Sequence, residues 1–207
     1  SIVMRSFDPV AAWQIVEREK VTSALCVPAM LNFMLQVPNF EQYDRSTLRW
    51  MMTGAAPVPP ALTKTYSDMG IELLQVYGLT ETCGPACLMD AKNSLILPES
   101  TGKAFFHTEV KIADASGATC APGVAGEVLV RGEHIMTEYW NRPEATAETI
   151  VDGWLHTGDV ATMDEQGFVF IQDRIKDMII SGGENVYPAE IEGVLGAHPG
   201  ISEAAVI

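Results

Sequence analysis

Two short segments of the sequence carry residue types suited to binding a nucleotide: Gly54-Ala55-Ala56-Pro57 and the string from Gln75 to Thr82. Small residues let a planar ligand approach the backbone, and the Tyr77 ring offers a face for stacking. The Thr80 hydroxyl is suited to bonding a phosphate oxygen, and the Glu81 carboxylate to holding a divalent cation that neutralises polyphosphate. The glycines alone are equally typical of ordinary turns, whereas the ordered string Tyr-Gly-Leu-Thr-Glu favours a binding site.

A third segment, Gly153-Trp154-Leu155-His156-Thr157-Gly158-Asp159, places a carboxylate between glycines in an otherwise apolar region. A carboxylate fixed beside a tight turn can accept two hydrogen bonds from a vicinal diol, so Asp159 is a candidate for binding ribose hydroxyls. The alternative is a solvated turn aspartate, which is common for an isolated Gly-Asp. His156 taken alone is more often structural than catalytic.

The fourth segment is the charged run Asp173-Arg174-Ile175-Lys176-Asp177, followed by Ser181-Gly182-Gly183-Glu184-Asn185. Arg174 can reach a ribose or phosphate oxygen, and Lys176 lies where a linker between domains would have to twist. The paired glycines, Gly182 and Gly183, predict a loop that is free to adopt positive φ. A plain solvated charge run is the alternative interpretation.

The first half of the chain alternates apolar strands with helices of about ten residues, which predicts a parallel, helix-flanked sheet. In such sheets ligands bind at the carboxyl ends of the strands, where the first two glycine segments lie. Asp8 is the expected N-cap of the first helix, and Pro9 opens it. The predicted helices are 9–20, Pro28–Leu35 and Pro60–Met69, and the predicted strands are Thr22–Val27, Leu48–Thr53 and Ile71–Val76.

From Gly102 onward the pattern changes to short alternating runs separated by glycine turns, which predicts an antiparallel barrel or sandwich. The charged run at 173–177 separates this region from a strand at Met178–Ser181 and a helix at Ala189–Leu195 led by Pro188. The predicted fold class is therefore α/β plus β. The predicted domains are 1–97 (α/β part), 98–172 (antiparallel β-barrel part), 173–177 (hinge) and 178–207 (start of a small α+β domain).

Composition excludes several classes of protein. With 207 residues, 47% of them hydrophobic, the chain can bury a substantial core, so intrinsic disorder is excluded. A net charge of −14 argues against binding to nucleic-acid phosphates or to an anionic membrane surface. The four cysteines form no CxxC pair, and the longest apolar stretch is too short to span a bilayer, so we expect a cytoplasmic protein without a transmembrane segment.

The glycine segments occur in the order and spacing of a known family. Tyr77-Gly78-Leu79-Thr80-Glu81, Thr157-Gly158-Asp159, Asp173 to Ile179 and Ser181 to Glu192 together resemble the acyl-adenylate-forming enzymes. These comprise acyl-CoA synthetases, adenylation domains of peptide synthetases and beetle luciferases. The stretch from Gly182 to Glu192 is most similar to fatty-acyl or aryl CoA ligases, and the resemblance covers nearly the whole chain.

The resemblance implies an enzyme that uses ATP and Mg²⁺ to convert a carboxylic acid into acyl-AMP, then transfers the acyl group to CoA. It implies that Gly54-Ala55-Ala56-Pro57 binds adenine, that Tyr77, followed by Gly78, stacks on it, and that Thr80 contacts phosphate. Glu81 would be the magnesium ligand. The remaining implied roles are ribose binding by Asp159 with Arg174, hinge rotation at Lys176 and a border of the CoA tunnel at Gly182-Gly183.

For the acyl pocket the sequence offers Leu79, Cys83 and Gly84, with Pro85 and Ala55 nearby. Cys83 and Gly84 are small, which leaves room for an aryl group or an alkyl chain. An equally simple interpretation is that these residues only pack.

The chain opens on Ser1, directly in a strand-like run, and closes on the apolar run Ala204–Ile207, so we expect an internal fragment of a longer protein. In the resembled family a phosphate-binding loop lies upstream of these residues and an adenylating lysine lies downstream. We therefore expect the chain alone to adenylate poorly.

Three rival interpretations remain open from the sequence. One is an adenylation domain that loads a carrier protein, and another is an oxygenase of the luciferase type. The third is a non-catalytic nucleotide-binding module. The Ser181–Asn185 motif favours the CoA ligase. The non-catalytic module is disfavoured because the chain retains all four of the residues with implied roles in the reaction, Glu81, Asp159, Arg174 and Lys176.

Overall fold

The computed structural model describes residues 1–181, 184–196, 198, 200–201 and 204–206. The chain divides into two compact units. The first comprises residues 1–76 and 89–99, and the second comprises residues 77–88 and 100–207. The predicted boundaries at 97, 172 and 177 are not tested by this division and stay predictions.

The three helices of the first unit are α1 (Pro9–Arg18), α2 (Pro28–Leu35) and α3 (Pro60–Asp68). Each has a proline in its first turn, where the missing N–H costs no hydrogen bond. At α1 the Asp8 carboxylate also accepts a hydrogen bond from the Ala11 N–H at 2.7 Å. The predicted helices and the Asp8 cap are confirmed, with small differences at the C-terminal ends.

The strands of the first unit are β1 (Ser23–Leu25), β2 (Trp50–Gly54) and most of β3 (Glu72–Leu79), all paired in parallel. The parallel sheet is therefore confirmed. The predicted end of the third strand at Val76 is wrong, because β3 continues to Leu79 and places Tyr77 and Gly78 inside a strand. The chain then reverses and enters β4 (Gly84–Leu88), which is the neighbour of β3 in the sheet.

The core of the first unit is built on buried aromatic rings whose polar atoms are satisfied. Trp13 is fully buried and donates from Nε1 to the carbonyl of Met34 at 2.9 Å. Tyr66 is fully buried and donates from Oη to the carbonyl of Leu31 at 2.9 Å. These two bonds tie α1 and α3 to α2 while the rings fill the space between helices and sheet.

The second unit is built on an antiparallel sheet with the strand order β10 (Val169–Arg174), β9 (Trp154–Met163), β7 (Gly126–Arg131) and β6 (Glu109–Ala113), and β8 (Ile150–Val151) pairs with β9. Among the described residues the strand order runs from β10 to β6 without closing on itself, so the predicted β-barrel part is a curled half-barrel. Its core is formed by inward-facing residues such as Val128, Val130, Leu155 and Val169, all at most 1% exposed. The other elements of this unit after β4 are β5 (Lys103–Ala104), α4 (Pro143–Thr149), β11 (Ile179–Ser181), β12 (Glu184–Val186) and α5 (Pro188–Gly196).

Strand β9 corrects the interpretation of the Gly153–Asp159 segment. The sequence predicts a tight turn there, whereas Trp154 to Asp159 belong to a ten-residue strand at the centre of the half-barrel. Strand β10 also includes Asp173 and Arg174, the first two residues of the charged run. The predicted strand at Met178–Ser181 and helix after Pro188 are confirmed as β11 and α5.

All four cysteines lie among the described residues, and none of them forms a disulfide. Over the same part of the chain, no helix is both long enough and apolar enough to cross a bilayer.

Candidate functional site

The second unit brings together Tyr77 and Asp159, which are 82 residues apart in the sequence. The Tyr77 hydroxyl donates to Oδ2 of Asp159 at 2.7 Å, and Asp159 is 7% exposed. Burial raises the pKa of the Asp159 carboxyl above its ordinary value, while the hydrogen bond from Tyr77 and the charge of Arg174 oppose that rise. Burial and the neighbouring Asp159 raise the pKa of Tyr77, so its hydroxyl stays a protonated donor.

A bulge in strand β9 presents Asp159. In the pairing of β7 with β9, Glu127 lies opposite Val160 and Leu129 lies opposite His156. One residue of β7, Val128, therefore faces the three residues Thr157–Asp159, which must bow out of the regular ladder. Gly158 adopts a φ of +73°, which favours glycine, and the Thr157 hydroxyl donates to the carbonyl of Val128 at 2.8 Å.

Arg174 lies directly opposite Asp159 on the neighbouring strand β10. A second irregularity, between Ile171 and Asp173, gives β10 one extra residue and brings Arg174 into this register. The guanidinium Nε is 3.6 Å from Oδ1 of Asp159, and the Arg174 side chain is 58% exposed. It therefore balances part of the Asp159 charge while keeping most of its donors free for a ligand.

A short 3₁₀ helix, Thr80–Thr82, holds Glu81 at the end of β3. Thr82 is fully buried and fixes this turn, because its hydroxyl contacts the backbone of both Leu79 and Gly84. The Glu81 carboxylate accepts a hydrogen bond from the Tyr139 hydroxyl at 2.7 Å, and this bond raises the pKa of Tyr139. Thr80 is exposed in the same turn.

The three residues predicted for an acyl pocket surround this turn. Leu79 is half-buried at the end of β3, whereas Cys83, at a φ of +50°, and Gly84, at a φ of +142°, are exposed. Gly78 packs against the start of β4, where a Cβ would lie 2.3 Å from the Gly84 carbonyl oxygen. Only glycine fits at position 78. Packing against β4 therefore requires Gly78, independently of its predicted contribution to cofactor binding.

The predicted adenine-binding loop belongs to the first unit. Gly54 ends β2 opposite Val76 of β3, where a Cβ would lie 2.1 Å from the Val76 carbonyl oxygen. The strands that carry the first two glycine segments, β2 and β3, are therefore neighbours. Ala55, at a φ of +66°, is exposed together with Ala56 and Pro57.

The predicted hinge residue Lys176 is exposed in the turn that follows β10. Asp173 lies just before this turn and accepts a hydrogen bond from the Ala189 N–H at 3.0 Å, near the start of α5. The carboxylate therefore ties β10 to the helix after the predicted hinge. Gly182 and Gly183, predicted to border a CoA tunnel, lie outside the described residues.

Sequence reasoning missed two residues that hold the candidate site, Glu127 and Tyr139, and it named Thr157 only as part of a motif, without a role. Glu127 gave a usable signal, because a carboxylate inside an apolar strand needs a partner. Tyr139 gave none, because its contact with Glu81 spans 58 residues of sequence.

Among the described residues, no group of three or more His, Cys, Asp or Glu side chains forms a metal site made of protein ligands alone. A magnesium ion bound with polyphosphate ordinarily uses one or two carboxylates, the phosphates and water. Glu81 fits this type of site, because Tyr139 occupies only one of its carboxylate oxygens.

Comparison with known proteins gives consistent results. A family profile described as AMP-binding enzyme matches residues 1–140. The long-chain-fatty-acid–CoA ligase FadD13 of Mycobacterium tuberculosis is 46% identical over 206 residues, which is 100% of this chain and 41% of the relative. The fatty acid–[acyl-carrier-protein] ligase ScoC of Streptomyces coeruleorubidus is 43% identical over 210 residues, covering 100% of this chain and 40% of the relative.

A solved structure is also similar to this chain. The o-succinylbenzoate coenzyme A synthetase of Bacillus subtilis, determined in complex with ATP and a magnesium ion, superposes with a TM-score of 0.89 at 36% identity. The match covers 96% of this chain and 41% of that chain. The present chain thus spans about two fifths of the length of the proteins it matches.

Proposed function

This chain belongs to the AMP-binding enzyme family, and on that premise we propose that it acts in the ATP-dependent ligation of a carboxylic acid to CoA. The acid is first activated as acyl-AMP with release of pyrophosphate, and its acyl group then passes to the CoA thiol. The observation that carries the proposal is the buried Asp159 carboxylate, fixed in a strand bulge between Tyr77 and Arg174.

Asp159 is proposed to accept hydrogen bonds from the ribose hydroxyls of the nucleotide. The Tyr77 hydroxyl holds Oδ2, and Oδ1 lies toward the exposed Arg174, so the carboxylate has a fixed orientation before a ligand arrives. The Tyr77 ring keeps its predicted role of stacking on adenine. Gly54-Ala55-Ala56-Pro57 keeps its predicted role as an adenine-binding loop.

Glu81 is the proposed magnesium ligand, and Thr80 beside it is proposed to contact phosphate. When bound, magnesium neutralises charge on the polyphosphate. The protein's own contribution is to hold the Glu81 carboxylate still, through the Tyr139 hydroxyl and the hydrogen bonds of Thr82. A carboxylate that is already oriented loses less freedom when it binds.

The second half-reaction is proposed to use the turn after β10. Lys176 is exposed there, and we propose that it is the hinge around which the following residues rotate for thioester formation. Gly182 and Gly183 keep their predicted role at the CoA tunnel. CoA as the acceptor is supported by the names of the fatty-acyl and o-succinylbenzoate relatives.

The proposed substrate is a fatty or aryl carboxylic acid. This range is supported by one relative named for long-chain fatty acids and one named for o-succinylbenzoate. Leu79, Cys83 and Gly84 are the proposed visible part of the acyl pocket. A cytoplasmic location is proposed as well, supported by four cysteines that carry no disulfide.

Calorimetric titration with AMP and with an acyl-sulfamoyl adenosine tests the nucleotide site directly. We expect Asp159→Ala and Tyr77→Ala to weaken the binding of both ligands. Glu109→Gln is the matched control, because Glu109 is an exposed carboxylate of the same sheet, paired with Arg131 instead of a ligand. Binding that is equal in Asp159→Ala and the wild type would contradict the proposal.

Transfer to a carrier protein is a second candidate function, supported by the 43% identity with a fatty acid–[acyl-carrier-protein] ligase. Supplying CoA or a holo-carrier protein to the acyl-AMP-loaded enzyme separates the two. Faster release of AMP with the carrier protein than with CoA would favour this candidate. Nucleotide binding without transfer to either acceptor, even in full-length protein, would favour a non-catalytic module.

A further inference from the structure

The bulge that presents Asp159 is held by a side chain with no assigned part in the reaction. We propose that Glu127 is a positioning residue whose carboxylate fixes the Thr157–Asp159 bulge in the shape that presents Asp159 to the nucleotide. This inference rests on the proposed function, because it takes Asp159 as the residue that binds the ribose.

Glu127 contacts the bulge at two points. Its Oε1 accepts a hydrogen bond from the Gly158 N–H at 3.0 Å, and its Oε2 lies 2.8 Å from Nδ1 of His156. The Glu127 side chain is 22% exposed, so solvent competes only weakly for these contacts. One carboxylate therefore contacts β9 at the residues before and after Thr157.

The bulge needs such a contact because its backbone leaves the regular ladder. Regular pairing of β7 and β9 ends at Glu127 and resumes at Leu129, which deprives the bulged residues of ladder partners on β7. The Glu127 carboxylate supplies the missing acceptor for the Gly158 N–H. On the other side, the Gly158 carbonyl accepts from the Ile175 N–H at 2.8 Å, so both backbone groups of Gly158 are satisfied.

The charge of Glu127 works against the ionised form of Asp159. Its negative charge is one of the contributions that raise the pKa of Asp159, although burial is the larger one. An electrostatic role in stabilising the Asp159 carboxylate is therefore excluded, and the benefit of Glu127 must be geometric. A neutral side chain that keeps the acceptor oxygen should accordingly preserve much of the function.

The 207-residue chain is compared with Glu127→Gln, which keeps one acceptor oxygen, and with Glu127→Ala, which keeps none. Glu109→Ala is the matched control, an exposed carboxylate of the same sheet. AMP affinity is measured by calorimetry, and exchange of the Gly158 amide proton is measured by ¹⁵N-resolved NMR on the same samples.

We expect Glu127→Ala to weaken AMP binding by about tenfold or more, which matches the loss of a hydrogen bond to a charged group. The same variant should lose the exchange protection of Gly158 by about tenfold or more, because the bulge opens locally. Glu127→Gln should recover most of both quantities, and Glu109→Ala should leave both unchanged.

Unchanged AMP affinity in Glu127→Ala, with Asp159→Ala still impaired, would overturn the positioning role and leave the proposed function standing. Unchanged Gly158 exchange in Glu127→Ala would also overturn it. Equal damage from Glu127→Gln and Glu127→Ala would assign the effect to lost charge, against the geometric role. Failure of the folded wild type to bind AMP would overturn the proposed function, and the positioning role with it.

Discussion

Replacing Tyr77 by phenylalanine removes one hydrogen-bond donor and keeps the ring. The lost bond is the 2.7 Å contact from the Tyr77 hydroxyl to Oδ2 of a nearly buried Asp159. Hydrogen bonds to charged groups contribute about 1.5–3 kcal/mol. Arg174 cannot compensate, because it is 3.6 Å away and 58% exposed, and such screened pairs contribute at most about 1 kcal/mol. We expect Tyr77→Phe to lower the free energy of unfolding by about 1.5–3 kcal/mol near neutral pH.

The size of this loss should depend on pH. Burial raises the pKa of Asp159 above its ordinary 3.8, so the folded state loses stability as the pH rises from that value through the raised one. The hydrogen bond from Tyr77 opposes the rise and offsets part of this loss. Without the hydroxyl the pKa of Asp159 rises further, so the difference between wild type and variant is largest above the pKa of the folded variant and shrinks as the pH falls.

Urea unfolding followed by circular dichroism, at several values between about pH 8 and about pH 4, measures this difference. Tyr66→Phe is the matched control, because Tyr66 is buried and donates to a neutral carbonyl at 2.9 Å. Its loss should cost about 0.5–1.5 kcal/mol with no dependence on pH in this range. A cost below about 0.5 kcal/mol for Tyr77→Phe, or a cost that is constant with pH, would refute the reasoning.

Three further predictions follow from backbone geometry and burial. Gly158→Ala should lower the free energy of unfolding by about 1–2 kcal/mol from its positive φ alone, since a Cβ there meets nothing within 4 Å. Thermal unfolding of this variant checks the prediction, with Gly193→Ala as a helical control that should not be destabilised. Gly78→Ala should destabilise more than Gly158→Ala in the same scan, because its Cβ would lie 2.3 Å from the first carbonyl oxygen of β4. In native protein a thiol reagent should label exposed Cys83 well before Cys87, whose pKa burial raises to about 12; equal labelling rates measured by mass spectrometry would contradict this.

The sequence predicted the elements whose signals are local. Proline at the first helical turn with Asp8 as a cap located α1, and the alternation of apolar strands with helices predicted the parallel sheet. The glycine turns after Gly102 predicted an antiparallel region, and the order of the glycine motifs pointed to the family. The helix, strand and turn signals each act over a few residues, and the motif order is a property of the sequence alone, so neither requires knowledge of the contacts.

Strand ends were predicted less well, because they depend on partners. Strand β3 continues through Tyr77 to Leu79 because the chain folds back into β4. The residues around Val76 carry no local signal for this continuation. The Gly153–Asp159 segment contains two glycines and suggests a turn, yet most of it forms part of β9. Pairing with β7 and β10 overrides the local preference of the glycines.

The candidate groups could thus be identified from the sequence alone. They are a tyrosine, a threonine, a glutamate, an aspartate and an arginine whose side chains are suited to binding a nucleotide and its metal ion. The tertiary structure decided which of them meet. It set Tyr77 and Asp159 in hydrogen-bond contact across 82 residues, and it brought Glu127 to the Gly158 backbone and Tyr139 to Glu81. The physical reason is that strand register and bulges set the orientation of each side chain, and both depend on contacts between segments far apart in the chain.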